Sequence, residues 1–271
     1  MVKLVATDMD GTLLTSKKEL TAKSARIIKA IKQMGIHFVV ASGRQYYNLY
    51  NIFKQHGLEQ NTSFIAENGT VIFDKQELVF VNQLDNELIK SVVEITRKTP
   101  DIYPVLCGVK AAYTENDLPN LQNNVSKYFY QREILNDVLD CLNYDTITKI
   151  AVLDVKNQSE TYTYPILKKF ETSHKVIVSG PEWTDIINYG VGKGAAIKMI
   201  GERYGASFDE RMAFGDYLND VDLLKSCKHS FAVSNAHDSL KKIAAHVCAS
   251  NDEDGVANAL IDWFDLNKKI D

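Results

Sequence analysis

Val2-Lys3-Leu4-Val5-Ala6-Thr7-Asp8-Met9-Asp10-Gly11-Thr12 is a short, mostly apolar run that stops abruptly at two carboxylates and a glycine. A run of this length followed by turn chemistry reads as a buried strand of a parallel sheet. Open α/β sheets gather their ligands at the carboxyl ends of such strands. Two acids two residues apart would share one crevice there, which is costly unless a cation sits between them or one of them holds a proton. Asp-x-Asp-Gly-Thr alone also fits an acidic surface turn, so the rest of the chain decides.

Working outward, Thr21 or Ser24 opens a helix with apolar Ile27, Ile28, Ile31 and Met34, ended by Gly35. His37-Phe38-Val39-Val40-Ala41 is a second buried strand, closing on Ser42-Gly43-Arg44. Strand, helix, strand in about 30 residues is the βαβ signature of a right-handed parallel crossover. A helix over 46–56 leads to the strand Ser63–Ala66, and Glu67-Asn68-Gly69 turns the chain into a hairpin. From about Asn82 the rhythm changes, with a helix over 85–99 and then strands at 103–106, 110–113, 147–153, 175–179 and 183–187, and a helix over 159–172. Neighbouring strands without intervening helices predict an α+β lobe inserted into the α/β unit. The α/β rhythm resumes at Gly190-Val191-Gly192-Lys193-Gly194, continues through the strand Arg211–Phe214 to Gly215-Asp216, and ends in a last helix after 251–255. The expectation is therefore a Rossmann-like parallel-sheet core, residues 1–81 and 188–271, with an α+β cap domain at 82–187.

The 271 residues carry 31 Lys and Arg against 35 Asp and Glu, a net charge of −4 with both signs scattered. The pairs Lys17-Lys18, Lys168-Lys169, Lys241-Lys242 and Lys268-Lys269 read as solvated faces, not a nucleic-acid footprint. No run approaches the ~18 apolar residues of a membrane span, and the N-terminal run meets Asp8 too soon for a signal peptide. Four widely spaced cysteines predict reduced, mostly buried thiols in a cytoplasmic protein, and the six histidines lack metal spacing.

Four segments end in residues of chemical interest: Asp8 and Asp10; Ser42-Gly43; Lys193 in its glycine loop; and Asp216 with Asn219 and Asp220. Strand ends of a parallel sheet face one edge. A carboxylate nucleophile, a hydroxyl, an ammonium and a metal-binding acid on one edge suit phosphoryl transfer, whose spread charge needs cations and preorganised donors. Mg²⁺ suits one or two carboxylates plus substrate phosphate. Singly, each segment has a plainer reading: a turn at Ser42-Gly43, a loop at Lys193, a helix cap at 215–220.

In this order, Asp8-Met9-Asp10-Gly11-Thr12, Ser42, Lys193 and Gly215-Asp216-x-x-Asn219-Asp220 resemble the four motifs of the haloacid dehalogenase superfamily. The insertion, together with Asn68-Gly69, Asn235-Ala236 and Asn251–Val256, resembles the Cof-type phosphatases, so the likeness spans essentially the whole chain. Asp10 stands where the superfamily's P-type ATPases carry Thr and its dehalogenases Tyr, which implies a phosphatase or mutase. Tyr217, where many relatives have Asn, and Gly192, where Ser or Asn is common, depart from the pattern beside the site.

The resemblance implies that Asp8 forms an aspartyl-phosphate and that Asp10 acts as acid and base, with a pKa expected to be raised. It implies Mg²⁺ on Asp8, the Asp10 carbonyl and Asp216, with Asp220 and Asn219 behind or beside it, and phosphate on Ser42, Gly43, Lys193 and Asn219. Arg44 would meet substrate, cap or a surface acid. The expected partner is a small phosphate ester, without nucleic acid or membrane, in a monomer or weak dimer. A mutase or phosphotransferase shares this chemistry. A nucleotide-dependent oxidoreductase is the rival from another class, because Gly190-Val191-Gly192-Lys193-Gly194-Ala195 fits Gly-x-Gly-x-x-Ala with Asp216 about 20 residues on. A phospho-acceptor switch is a third reading. A Walker-type NTPase is excluded because Gly194 and Ile187 occupy positions that require Ser/Thr and Gly.

Overall fold

The protein is described here from a computed structural model covering residues 1–115, 117 and 119–266; Lys268-Lys269 lies outside the described residues. In chain order, β1 (Leu4–Thr7), α1 (Ala22–Gln33), β2 (His37–Ala41), α2 (Tyr46–Lys54), β3 (Thr62–Ala66), β4 (Val71–Asp74) and β5 (Glu77–Val81) come first. Next are α3 (Asn86–Lys98), β6 (Ile102–Gly108), β7 (Ala112–Thr114), α4 (Pro119–Tyr128), β8 (Arg132–Ile134), β9 (Ile147–Asp154), α5 (Tyr164–Leu167), β10 (His174–Gly180) and β11 (Trp183–Asn188). The chain closes with α6 (Lys193–Arg203), β12 (Arg211–Gly215), α7 (Val221–Lys225), β13 (His229–Val233), α8 (Asp238–Lys241), β14 (His246–Cys248) and α9 (Gly255–Phe264).

Two sheets result. The larger has the order β14-β13-β12-β1-β2-β3-β4-β5, parallel from β14 to β3 and finished by two antiparallel strands. β1 is buried throughout and pairs in parallel with β12 on one side and β2 on the other. Successive strands leave it in opposite directions along the sheet, so the β1/β12 boundary is the switch point at which α/β sheets open a ligand crevice. Helix α1 shows how sequence sets the local structure. Thr21 caps it by accepting the Ser24 N–H at 3.0 Å, a contact worth about 1 kcal/mol. Its stripe of Ile27, Ile28 and Ile31 is buried in the main core.

The smaller sheet, β10-β11-β9-β6-β7-β8, is mostly antiparallel and covered on both faces. Along β9 the period-two alternation sends Ile150 and Val152 to one core, and Ala151 and Leu153 to the other. Lys149 falls on the Ala151 side. The chain leaves the first sheet after β5 and returns before α6. At these two passages Asn188 donates to the Asn82 side chain and to the Gln83 carbonyl, both at 2.8 Å.

The structure departs from the sequence reading in local detail. The strands β5 and β8 were not predicted, and both present exposed side chains that blur alternation. The helix expected over 159–172 is a π turn, a short α5 and a 3₁₀ turn in succession. All four cysteines are free thiols, and no described helix is long and apolar enough to cross a membrane.

Candidate active site

The carboxyl ends of β1 and β12 carry the centre of the site. Asp8 follows β1, 5% exposed, with its N–H held by the Phe214 carbonyl at 3.0 Å. Gly11 is in the left-handed region at φ +78°, where a side chain would collide with the Asp216 carboxylate, so the turn requires glycine. Asn235 donates to the Gly11 carbonyl at 2.8 Å and Asn251 to the Leu14 carbonyl at 2.9 Å, which pins this loop from behind. Thr12 donates to Asp216 Oδ1 at 3.0 Å.

Lys193 is the counter-ion. Its fully buried Nζ lies 2.6 Å from Asp8 Oδ1 and 2.6 Å from Asp220 Oδ1. Burial alone would depress its pKa, but Asp220 and Asp8 raise it and keep it charged. Asp220 Oδ2 accepts the N–H groups of Asp216 (3.0 Å) and Tyr217 (3.2 Å), so both of its oxygens engage protein donors and shape the 215–220 loop. Asp8, Asp216 and Asp220 offer ligand atoms all within 4.8 Å of one another. Burial, then the charges of Asp8 and Asp220, push the Asp216 carboxyl well up; burial likewise raises Asp8 despite Lys193. Acids held under that repulsion fit a hard divalent cation bound by oxygen ligands.

Ser42 is buried at the end of β2. Its hydroxyl accepts the Arg44 N–H at 3.1 Å, and its carbonyl accepts the Asn68 N–H at 2.9 Å. Asn219 donates through Nδ2 to Asn68 Oδ1 at 3.0 Å. Asp8, Asp10, Ser42, Gly43, Asp216 and Asn219 line one cavity of about 230 Å³. Lys193 joins them through Asp8. The smaller sheet's lobe supplies the opposite wall, with Tyr128, Phe129, Pro181, Glu182 and Trp183.

Four expectations need correction. Lys193 does not end a strand of the parallel sheet: the preceding β11 is antiparallel and belongs to the smaller sheet, and Lys193 is the first residue of α6. The strand before the glycine loop therefore lies outside the parallel βαβ unit that the oxidoreductase reading required. The Asp10 pKa is lowered. Burial pushes it up, but two Arg44 bonds (2.5 and 2.6 Å), the Arg44 charge and Lys18 at 2.8 Å outweigh that. Arg44 is a buried clamp on Asp10, 4% exposed, also bonded to Asn48 at 2.7 Å and lying 5.4 Å from the Tyr128 ring centre. Lys18 is no solvated helix face; it sits in a turn at φ +64° and reaches the cavity.

Residues not singled out from sequence come from the other lobe. Lys149, 2% exposed, places Nζ 2.7 Å from Glu67 Oε2 and 2.7 Å from the Gly43 carbonyl. Asp185 accepts from Asn68 and from Ser179. A lysine inside the apolar run Ile147–Leu153 was the available signal for the first of these.

Comparison with known proteins gives a consistent result. Residues 5–260 match a family model described as haloacid dehalogenase-like hydrolase. The chain is 30% identical over 266 residues to the 5-amino-6-(5-phospho-D-ribitylamino)uracil phosphatase YbjI of Escherichia coli K12, covering 96% of this chain and 95% of that protein. It is 26% identical to the phosphatase YitU of Bacillus subtilis, of the same substrate name, over 97% and 98% of the two chains. Among solved structures, a Streptococcus mutans UA159 protein superposes with a TM-score of 0.88 at 30% identity, over 98% and 100% of the chains. A haloacid dehalogenase-like hydrolase from Bacteroides thetaiotaomicron gives 0.83 at 26%, over 97% and 100%.

Proposed function

Because this chain belongs to the haloacid dehalogenase-like hydrolase family, we propose that it is a Mg²⁺-dependent phosphatase of small phosphomonoesters that works through a phosphorylated Asp8. The observation that carries the reading is Lys193 bridging Asp8 and Asp220 at 2.6 Å each, with Asp216 alongside, at the switch point of a parallel sheet. The relatives named as phosphatases of a phosphorylated ribitylamino-uracil support a sugar or cofactor phosphate as the substrate class.

In the first step an Asp8 carboxylate oxygen attacks phosphorus, the ester P–O bond breaks, and the departing oxygen takes its electron pair and a proton from Asp10. In the second, water attacks the phosphorus of the acyl-phosphate, gives a proton to Asp10, and the bond to Asp8 breaks to release phosphate. Arg44 and Lys18 hold Asp10 ionised here, the form that receives a proton in the second step. For the first step Asp10 must be protonated, with its two cations engaging the anionic substrate instead. Lys193, Ser42, the Gly43 N–H and Asn219 bind the phosphoryl oxygens. Asp8, the Asp10 carbonyl and Asp216 would hold Mg²⁺, which supplies Lewis-acid stabilisation of developing charge. Residues 82–187 act as the cap, whose Phe129, Trp183 and Glu182 face the leaving group and exclude water.

The test is hydrolysis of p-nitrophenyl phosphate and a panel of phosphometabolites. Activity is expected to vanish with EDTA and return with Mg²⁺. Asp8→Asn should abolish turnover with the melting transition retained, and Asp10→Asn should slow it about 10²–10⁴-fold. Wild-type turnover by Asp8→Asn would remove the nucleophile assignment.

A further inference from the structure

The turn Glu67–Gly69 touches three of the loops that build the site. The Glu67 N–H bonds the Arg44 carbonyl at 3.0 Å, and the Asn68 N–H bonds the Ser42 carbonyl. Gly69, at φ +94°, lies against the Gly192 backbone so closely that a side chain would overlap it. Asn68 itself, at φ +57° and 1% exposed, extends its amide between the two lobes. On one side its Nδ2 donates to Asp185 Oδ2, and on the other its Oδ1 accepts from Asn219 Nδ2 at 3.0 Å.

The direction of these bonds is fixed by chemistry. An ionised carboxylate only accepts, so Asp185 obliges Asn68 to point its NH₂ toward the smaller sheet and its carbonyl toward Asn219. Asn219 must then turn its own NH₂ toward Asn68. One of its two N–H groups makes that bond, which leaves the second to the cavity that Asn219 lines. Asp185 is 2% exposed, with Lys149 Nζ at 3.8 Å and the Ser179 hydroxyl donating at 2.8 Å. The Lys149 ammonium can only donate there, and the Ser179 hydroxyl donates as well.

We propose that Asp185 and Asn68 are positioning residues forming a polarity relay: the carboxylate of one lobe sets the flip of two amides in series, so that Asn219 presents an N–H to the transferring phosphoryl group. The lobe that carries Asp185 thus completes the phosphate cradle as well as facing the leaving group. The inference rests on the phosphatase reading above, in which Asn219 meets the phosphoryl oxygens.

The experiment measures inhibition of p-nitrophenyl phosphate hydrolysis by inorganic phosphate, with phosphate binding followed in parallel by calorimetry. Asp185→Ala is expected to weaken phosphate binding about 10- to 100-fold, the worth of one hydrogen bond to a charged group. KM should rise by the same factor for p-nitrophenyl phosphate and for a sugar phosphate, because the lost donor faces phosphorus and not the leaving group. Asp185→Asn, which keeps an acceptor oxygen, should restore most of the affinity. Asn68→Ala should match Asp185→Ala, and the double variant should lose no more than either single one. Should Asp185→Ala fail to fold, Asn68→Ala carries the same expectation with the Lys149–Asp185 pair intact. Unchanged phosphate binding in Asn68→Ala or in folded Asp185→Ala, losses that differ with the leaving group, or additive losses would overturn the relay. A wild-type protein that neither hydrolyses phosphate esters nor binds phosphate would instead overturn the phosphatase reading.

Discussion

Replacing Lys193 by Met removes a fully buried ammonium and leaves Asp8 and Asp220 facing each other, each of which had held it at 2.6 Å. The methionine fills similar volume, so the effect isolates charge. Deleting one partner of a buried ion pair costs about 3–5 kcal/mol, because the surviving charge is uncompensated. At about 2.1 cal/mol/K per residue, the unfolding entropy of 271 residues is roughly 0.57 kcal/mol/K, so the melting temperature should fall by about 5–9 °C. Scanning calorimetry of metal-free protein reads this directly. Turnover should fall about 10²–10³-fold as well, the scale of losing one preorganised donor. The double variant Lys193→Met/Asp220→Asn supplies the control. Neutralising Asp220 relieves the repulsion, so the double variant should melt above Lys193→Met while turning over no faster than it. A Lys193→Met protein that melts with the wild type, or a double variant that loses the sum of the two single losses, would refute the counter-ion argument.

His37 is stacked on Tyr204 with ring centres 3.6 Å apart and lies 2.7 Å from the Ser63 hydroxyl, and burial lowers its pKa to about 4. A histidine depressed below its unfolded value of about 6.5 favours the fold only while neutral. Its contribution is therefore complete above pH ~6.5 and is lost as pH falls toward 4, up to about 3 kcal/mol. In urea titrations across that range His37→Gln should flatten the loss of stability, and an unchanged slope would exclude the histidine as its source. Gly69→Ala should cost about 2–3 kcal/mol and lower turnover, because the strain at φ +94° adds to overlap with the backbone beside Lys193. Gly57→Ala, at φ +64° with nothing near, should cost about 1 kcal/mol and leave turnover unchanged, and equal effects in the two would remove the packing argument.

The features legible in the sequence are those encoded within one segment. Apolar runs ending in Asp8, Ser42 and Gly215-Asp216 mark buried strands and their carboxyl ends because burial on both faces leaves no alternation to confuse. Strands β5 and β8 escaped because their side chains are half-buried or exposed and resemble loop. Lys193 was identified as a site residue but given the wrong support, since the helix that carries it follows a strand of the other sheet. The pKa of Asp10 was misjudged because its neighbours in sequence say nothing about Arg44, 34 residues away, which spends its charge on that carboxylate. The links among Asn68, Lys149 and Asp185 cross between lobes, and only their placement in space brings them together. For Lys193, Asp10 and these inter-lobe links alike, the missing information is a contact between segments, which local pattern does not carry.

Asn188 fastens the outgoing passage of chain between the two sheets to the returning one, through paired 2.8 Å bonds to Asn82 and Gln83. The two crossings are thereby hydrogen-bonded to each other, so Asn188→Ala would cut both bonds of this brace at once without touching Asp8.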